Sequence, residues 1–179
     1  MINILKTRLF KGVVTRKLKA AGARVYEPAG AELKALIAKK FGRSLNIRQV
    51  DTGSCAACGS EIIACNNPVY DIARFGINFV ASPRHADCLL VTGPVSKNMA
   101  PALNRTYDAM PDPKFVITLG DCAFDAGVFK GSYYVESGVK SILPVVLHIP
   151  GCPPDPETII RSLTDFLKDG SGPFKKNCV

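Results

Sequence analysis

The chain has 179 residues, 47% of them apolar, enough to bury a substantial core in one domain and too few for two full ones. No run approaches the 18 or more apolar residues of a membrane-spanning helix, and Lys6, Arg8 and Lys11 interrupt the N-terminus where a signal peptide needs an unbroken apolar stretch. The formal charge of +8 is concentrated at the ends, with Lys6, Arg8, Lys11, Arg16, Lys17, Lys19 and Arg24 in the first 24 residues, and no basic-aromatic pattern supports a nucleic-acid partner.

In chain order, Ile2, Leu5, Leu9 and Val13 recur at helical spacing, so residues 2–20 are predicted to form a basic amphipathic helix. The next segments are a helix over 30–41, a strand ending at Val50, a helix over 61–74 and a strand over 77–80. They are followed by the apolar strand DCLLVTG, a helix over 96–110, the strand KFVITLG, an irregular stretch, the strand PVVLHI and a helix over 155–168. Short apolar strands alternating with helices predict an α/β fold, a mostly parallel sheet covered on both faces. The expected organisation is a basic helical extension over 1–42, a ligand-binding domain over 43–170 and a tail over 171–179.

Seven cysteines outside a secretory context point to metal or redox chemistry rather than to disulfides. Ligands of open parallel sheets gather beyond the carboxyl ends of the strands. Cys55 and Cys58 follow the strand ending at Val50, Cys122 follows FVITLG, and Cys152 follows VVLHIPG, so three strands deliver four cysteines to one edge. Gly53, Gly120 and Gly151 each precede one of these cysteines by one or two residues, where a tight turn suits close approach to a ligand. Four thiolates on stiff loops suit a cubane iron–sulfur cluster. A zinc site is the second reading, less favoured because one CxxC pair and two single cysteines replace the usual two knuckles. A thioredoxin-like dithiol needs only Cys55 and Cys58 and leaves Cys122 and Cys152 without a role. Cys88 and, with less weight, Cys65 read as small buried apolar residues, and Cys178 as an exposed thiol. VTGPVSKN lacks Walker spacing and no nucleophile–base pair is visible, so the chain alone is expected to have no turnover.

The stretches DTGSCAACGSEI, YDIARFGINFVASPRHADCLLVTGPVSKNM, PDPKFVITLGDCA and VVLHIPGCPPDPETII resemble the small electron-transfer subunit of membrane-bound, energy-converting nickel–iron hydrogenases, homologous to the 20 kDa iron–sulfur subunit of respiratory complex I. The resemblance covers residues 45–168. It implies a flavodoxin-like fold and one 4Fe-4S cluster ligated by Cys55, Cys58, Cys122 and Cys152. The implied partners are a hydrogenase-like large subunit, a ferredoxin-type iron–sulfur subunit and membrane subunits, on the cytoplasmic side of the membrane. Two alanines separate Cys55 from Cys58, the spacing of the hydrogenase branch; the complex I branch, which delivers electrons to quinone, carries adjacent cysteines. Gly59 departs from the acidic residue that usually follows the second cysteine, and Asp121, Asp125 and Ala126 stand where relatives are small or glycine-rich. Glu61 matches the motif glutamate, with an implied part in proton movement, and is otherwise a polar residue solvating a helix. In SPRHAD, Arg84 and His85 are implied to lie near the cluster and to tune it through positive charge or hydrogen bonds. Asp87 reads as a capping or turn residue before its strand.

Overall fold

The computed structural model describes residues 26–169. Its elements are α1 (Tyr26–Phe41), β1 (Leu45–Asp51), α2 (Ala57–Cys65), β2 (Ile77–Phe79), β3 (Cys88–Thr92), β4 (Val95–Ser96), α3 (Ala100–Asp108), β5 (Phe115–Leu119), α4 (Asp121–Asp125), β6 (Val135–Ser137), β7 (Val145–Ile149) and α5 (Pro156–Asp169). Five strands pair in the order β2-β1-β3-β5-β7, all parallel. The central strands β3 and β5 are buried at every residue, which is why CLLVT and FVITL read as continuous apolar runs instead of alternating ones.

Alternate residues of each strand supply two cores. Leu90, Ile117, Leu119 and Ile149 meet Leu33 and Ile37 of α1, Ile62 and Cys65 of α2, and Ile160, Leu163 and Phe166 of α5. Leu89, Val91 and Val116 meet Ala100 and Leu103 of α3, together with Val139 and Leu143. This is the predicted flavodoxin-like arrangement, with helices on both faces. Cys88 and Cys65 are buried core members, as their apolar surroundings suggest. Helix α1 is part of this core, its Leu33 and Ile37 fully buried, so the packed domain takes in residues that the expected boundary at 42 assigns to an extension. The amphipathic helix expected over 2–20 and the tail with Cys178 lie outside the described residues.

Two predicted helices are shorter than their apolar periodicity suggests. The helix expected over 61–74 is α2, ending at Cys65, because Asn67 Oδ1 accepts the Val69 and Tyr70 N–H groups at 2.8 and 2.9 Å and turns the chain into a short 3-10 segment at Ile72–Phe75. The helix expected over 96–110 starts only at Ala100, since Val95 and Ser96 form β4, antiparallel to β6 in the stretch predicted to be irregular. That stretch also holds α4 and two 3-10 turns. The last helix forms as predicted, with the Thr158 hydroxyl bonded to Asp155 at its start and its apolar face buried.

Candidate metal centre

The loop after β1 is shaped by its own polar groups. Asp51 Oδ1 accepts the Gly53 and Ser54 N–H groups at 2.9 and 2.8 Å, and Oδ2 accepts the Ser54 hydroxyl at 2.6 Å. Burial works against ionisation of Asp51, but these bonds from Ser54 and Gly53 outweigh it and hold the carboxyl below its ordinary value. Ser54 Oγ in turn accepts the Ala56 N–H at 3.2 Å. Ala56 sits at φ +69, a left-handed conformation unusual for a residue with a Cβ, and from there α2 begins, with Cys58 in its first turn.

The other two cysteine loops are tied to each other. The Asp121 N–H donates to the Gly151 carbonyl at 3.0 Å, and the Gly151 N–H donates back to Asp121 Oδ1 at 3.1 Å, so the turns carrying Cys122 and Cys152 are joined at two points. Behind them His148 stacks on Phe124 at 4.4 Å, its Nδ1 3.2 Å from the Thr118 hydroxyl and its Nε2 3.6 Å from Asp121 Oδ1.

Cys55, Cys58, Cys122 and Cys152 line one cleft beyond the carboxyl ends of β1, β3, β5 and β7, together with Gly93, Gly120 and Phe129. Its empty space, mouth included, is about 320 Å³. Cys58 lies so close over Gly120 that a Cβ there would stand 2.8 Å from its sulfur, and the φ of +85 at Gly120 excludes a side chain independently. Gly93 is equally constrained, since a Cβ would meet the Ser54 nitrogen at 2.4 Å. Burial pushes the Cys58 thiol up to about 11, reinforced by the sulfurs of Cys55, Cys152 and Cys122. Burial likewise raises the Cys122 thiol, with contributions from Cys152, which shares a hydrogen bond with it, and from Cys55. Burial and the neighbouring sulfurs thus favour the neutral thiols of Cys58 and Cys122, whereas thiolate is the form that binds iron, so a cationic iron–sulfur core would offset both effects. The donor set therefore fits an iron–sulfur cluster in both element and crowding. Among the described residues no three His, Cys, Asp or Glu side chains are grouped as a metal ion requires. That weighs against direct convergence on one zinc, and less against a cubane, whose own irons and sulfides separate its ligands.

The expected outer residues do not join this site. Glu61 is half-buried one turn beyond Cys58 on α2; burial, and then the charges of Glu61 and Asp155, push the Cys65 thiol up to about 12. Arg84 and His85 lie in a 3-10 turn that leads back to the amino end of β3, where the Asp87 N–H donates to the Asn46 carbonyl at 2.8 Å. Strand β3 separates that turn from the cysteine cleft, and neither residue lines it. SPRHAD is close to DCLLVTG in sequence, but parallel topology puts the start and the end of a strand at opposite edges of the sheet. Asp51, Asp121 and Phe129, which shape the cleft, are not among the expected site residues; the signals that point to the two acids are an Asp two residues before Gly-Ser, and a Gly-Asp immediately before Cys122.

The sequence profile of the NADH ubiquinone oxidoreductase 20 Kd subunit family matches residues 55–166. The chain is 45% identical over 141 residues to an NADH-quinone oxidoreductase subunit of Desulfovibrio desulfuricans, covering 77% of this chain and 75% of that one. It is 44% identical over 134 residues to the probable membrane-bound hydrogenase subunit mbhJ of Pyrococcus furiosus, covering 75% and 80%. Among solved structures, a chain of the archaeal membrane-bound sulfane sulfur reductase, a respiratory membrane complex, superimposes with a TM-score of 0.63 at 31% identity, covering 76% of this chain and 75% of that one. From the first cleft cysteine to the last helix, the chain thus belongs to the family of the NADH ubiquinone oxidoreductase 20 Kd subunit.

Proposed function

We propose that the chain is the electron-transfer subunit of a membrane-bound, hydrogenase-like complex. It would hold one 4Fe-4S cluster through Cys55, Cys58, Cys122 and Cys152 and pass electrons between a ferredoxin-type relay and a catalytic large subunit. The observation that carries this reading is the meeting of four thiols from three strand-end loops in one cleft. When bound, the cluster supplies a one-electron couple whose potential responds to burial and to hydrogen bonds on sulfur. The chain's own residues do the rest. Asp51 and Ser54 fix the entry to Cys55, the Asp121–Gly151 bonds hold Cys122 and Cys152 in register, and Gly93 and Gly120 let backbone and sulfur approach closely.

The CxxC spacing of Cys55 and Cys58 favours the hydrogenase side of the family over quinone reduction. Surface character agrees with a subunit role: Val128 and Tyr133 are 85% and 87% exposed beside Phe129, which lines the cleft and is itself exposed. No helix among the described residues is long and apolar enough to cross a membrane. Attachment at the cytoplasmic face would therefore run through membrane subunits, helped by the basic residues of 1–24. Affinity purification from detergent-solubilised membranes tests this. The chain should bring down a large subunit, a ferredoxin-type subunit and membrane subunits; recovery as a free monomer from the soluble fraction would reject it.

A further inference from the structure

The chain that follows Cys122 folds back onto its sulfur. Helix α4 ends at Asp125, and Ala126 and Gly127 then take left-handed conformations, at φ +72 and +46, that reverse the backbone into a 3-10 turn over Gly127–Phe129. Gly127 lies against Cys122 as a result: a Cβ on it would stand 3.3 Å from the Cys122 sulfur and 3.4 Å from the Cys122 Cα and nitrogen. The next amide, the Val128 N–H, is bonded to that sulfur. Burial raises the Cys122 thiol, and the Val128 bond works in the opposite direction, as a donor to thiolate does. No backbone carbonyl takes the Val128 N–H.

The Val128 side chain is exposed, so its packing does not place the amide. Asp125 does. Its Oδ1 accepts the Gly127 N–H at 3.1 Å, one residue before Val128, and its Oδ2 lies 3.7 Å from Lys140 Nζ. The Gly127 bond, and then Lys140 and Lys130, hold the Asp125 carboxyl below its ordinary value and keep it an ionised acceptor.

We propose that the Val128 N–H donates a hydrogen bond to the Cys122 ligand sulfur of the iron–sulfur cluster, held there by Asp125 through Gly127, and that this bond raises the cluster's reduction potential. The inference rests on the cluster reading above and adds to it one donor and one positioning residue. Reduction adds negative charge to the sulfurs, so a donor there stabilises the reduced state.

The test is a potentiometric titration, followed by EPR at fixed pH, of the cluster in the full chain and in its Val128→Pro, Val128→Ala, Asp125→Ala and Asp125→Asn variants. Val128→Pro deletes the donor without deleting a packed side chain. It should favour the oxidised state about three- to tenfold, a fall of ~28–59 mV for one electron, while Val128→Ala stays near wild type. ENDOR of the reduced cluster after exchange into D2O should show an exchangeable-proton coupling lost in Val128→Pro and kept in Val128→Ala. Asp125→Ala separates positioning from charge by its sign. Loss of a negative charge alone raises the potential, whereas loss of the turn's anchor lowers it, so a fall is expected, with recovery in Asp125→Asn, which keeps the Oδ1 acceptor. Equal potentials in Val128→Pro and Val128→Ala, or a rise in Asp125→Ala, would overturn the inference. If Val128→Pro takes up no iron, the sign in Asp125→Ala and its recovery in Asp125→Asn decide alone. A wild-type chain that binds no iron would instead bring down the cluster reading and this inference together.

Discussion

The two ends of the same parallel sheet are built on different principles. At the amino end, Asp87 is nearly buried and fully matched: it accepts Arg43 Nη1 and Nη2 at 3.0 and 2.6 Å and the Asn46 N–H at 3.0 Å, pinning the α1–β1 turn to the start of β3. At the carboxyl end, four thiols crowd one cleft, Ala56 and Ala126 hold left-handed backbone conformations, and the Thr92 hydroxyl has no partner. Left-handed backbone is not peculiar to one end, since Asp71 before β2 has it too, and Arg48 Nε in β1 is buried without a partner as well. What sets the carboxyl end apart is the meeting of four thiols, two of them pushed toward the neutral form by burial and by neighbouring sulfurs, which an added cationic group would relieve.

The largest effects should fall on the carboxyl end. Cys122→Ala or Cys152→Ala should abolish cluster incorporation, since each sulfur comes from its own loop, while Cys88→Ala leaves iron content at the wild-type level. Iron and sulfide analysis of purified variants checks this, and loss of iron in Cys88→Ala with retention in Cys122→Ala would reverse the assignment. Gly120→Val places a Cβ 2.8 Å from the Cys58 sulfur at a φ of +85. It should lower both iron content and stability, the latter by roughly 2 kcal/mol or more, as read by metal analysis and chemical denaturation.

At the amino end the same measurements should separate. Asp87→Ala removes a matched carboxylate whose Arg43 partner is more than half exposed. It should cost about 1–2 kcal/mol of stability with no change in iron per folded chain. Ala56→Gly, back at the carboxyl end, should relieve the left-handed strain and stabilise the cluster-free chain by about 0.5–1 kcal/mol, seen as a raised denaturation midpoint. The smallest effect belongs to Arg84→Ala and His85→Ala, which should leave the cluster potential unchanged. A shift of tens of millivolts in either would show that the amino end reaches the site.

Sequence carries much of this contrast because the strongest signals are local. Continuous apolar runs mark β3 and β5, and the place of each cysteine just after a strand puts all four on one edge. What escapes is set by neighbours distant in sequence. Arg84 and His85 look close to the site until the chain is seen returning to the amino edge. The two-residue strand β4 has no periodicity to read, and Asn67 ends α2 through side-chain bonds that an apolar pattern cannot register.

Three strand-end loops are proposed to hold one cubane at the carboxyl edge. Iron, acid-labile sulfide and zinc per chain, measured on the full-length protein purified without oxygen, test it most directly. The predicted result is about four irons and four sulfides, with an EPR signal that appears on reduction. One zinc per chain with neither iron nor sulfide would contradict it.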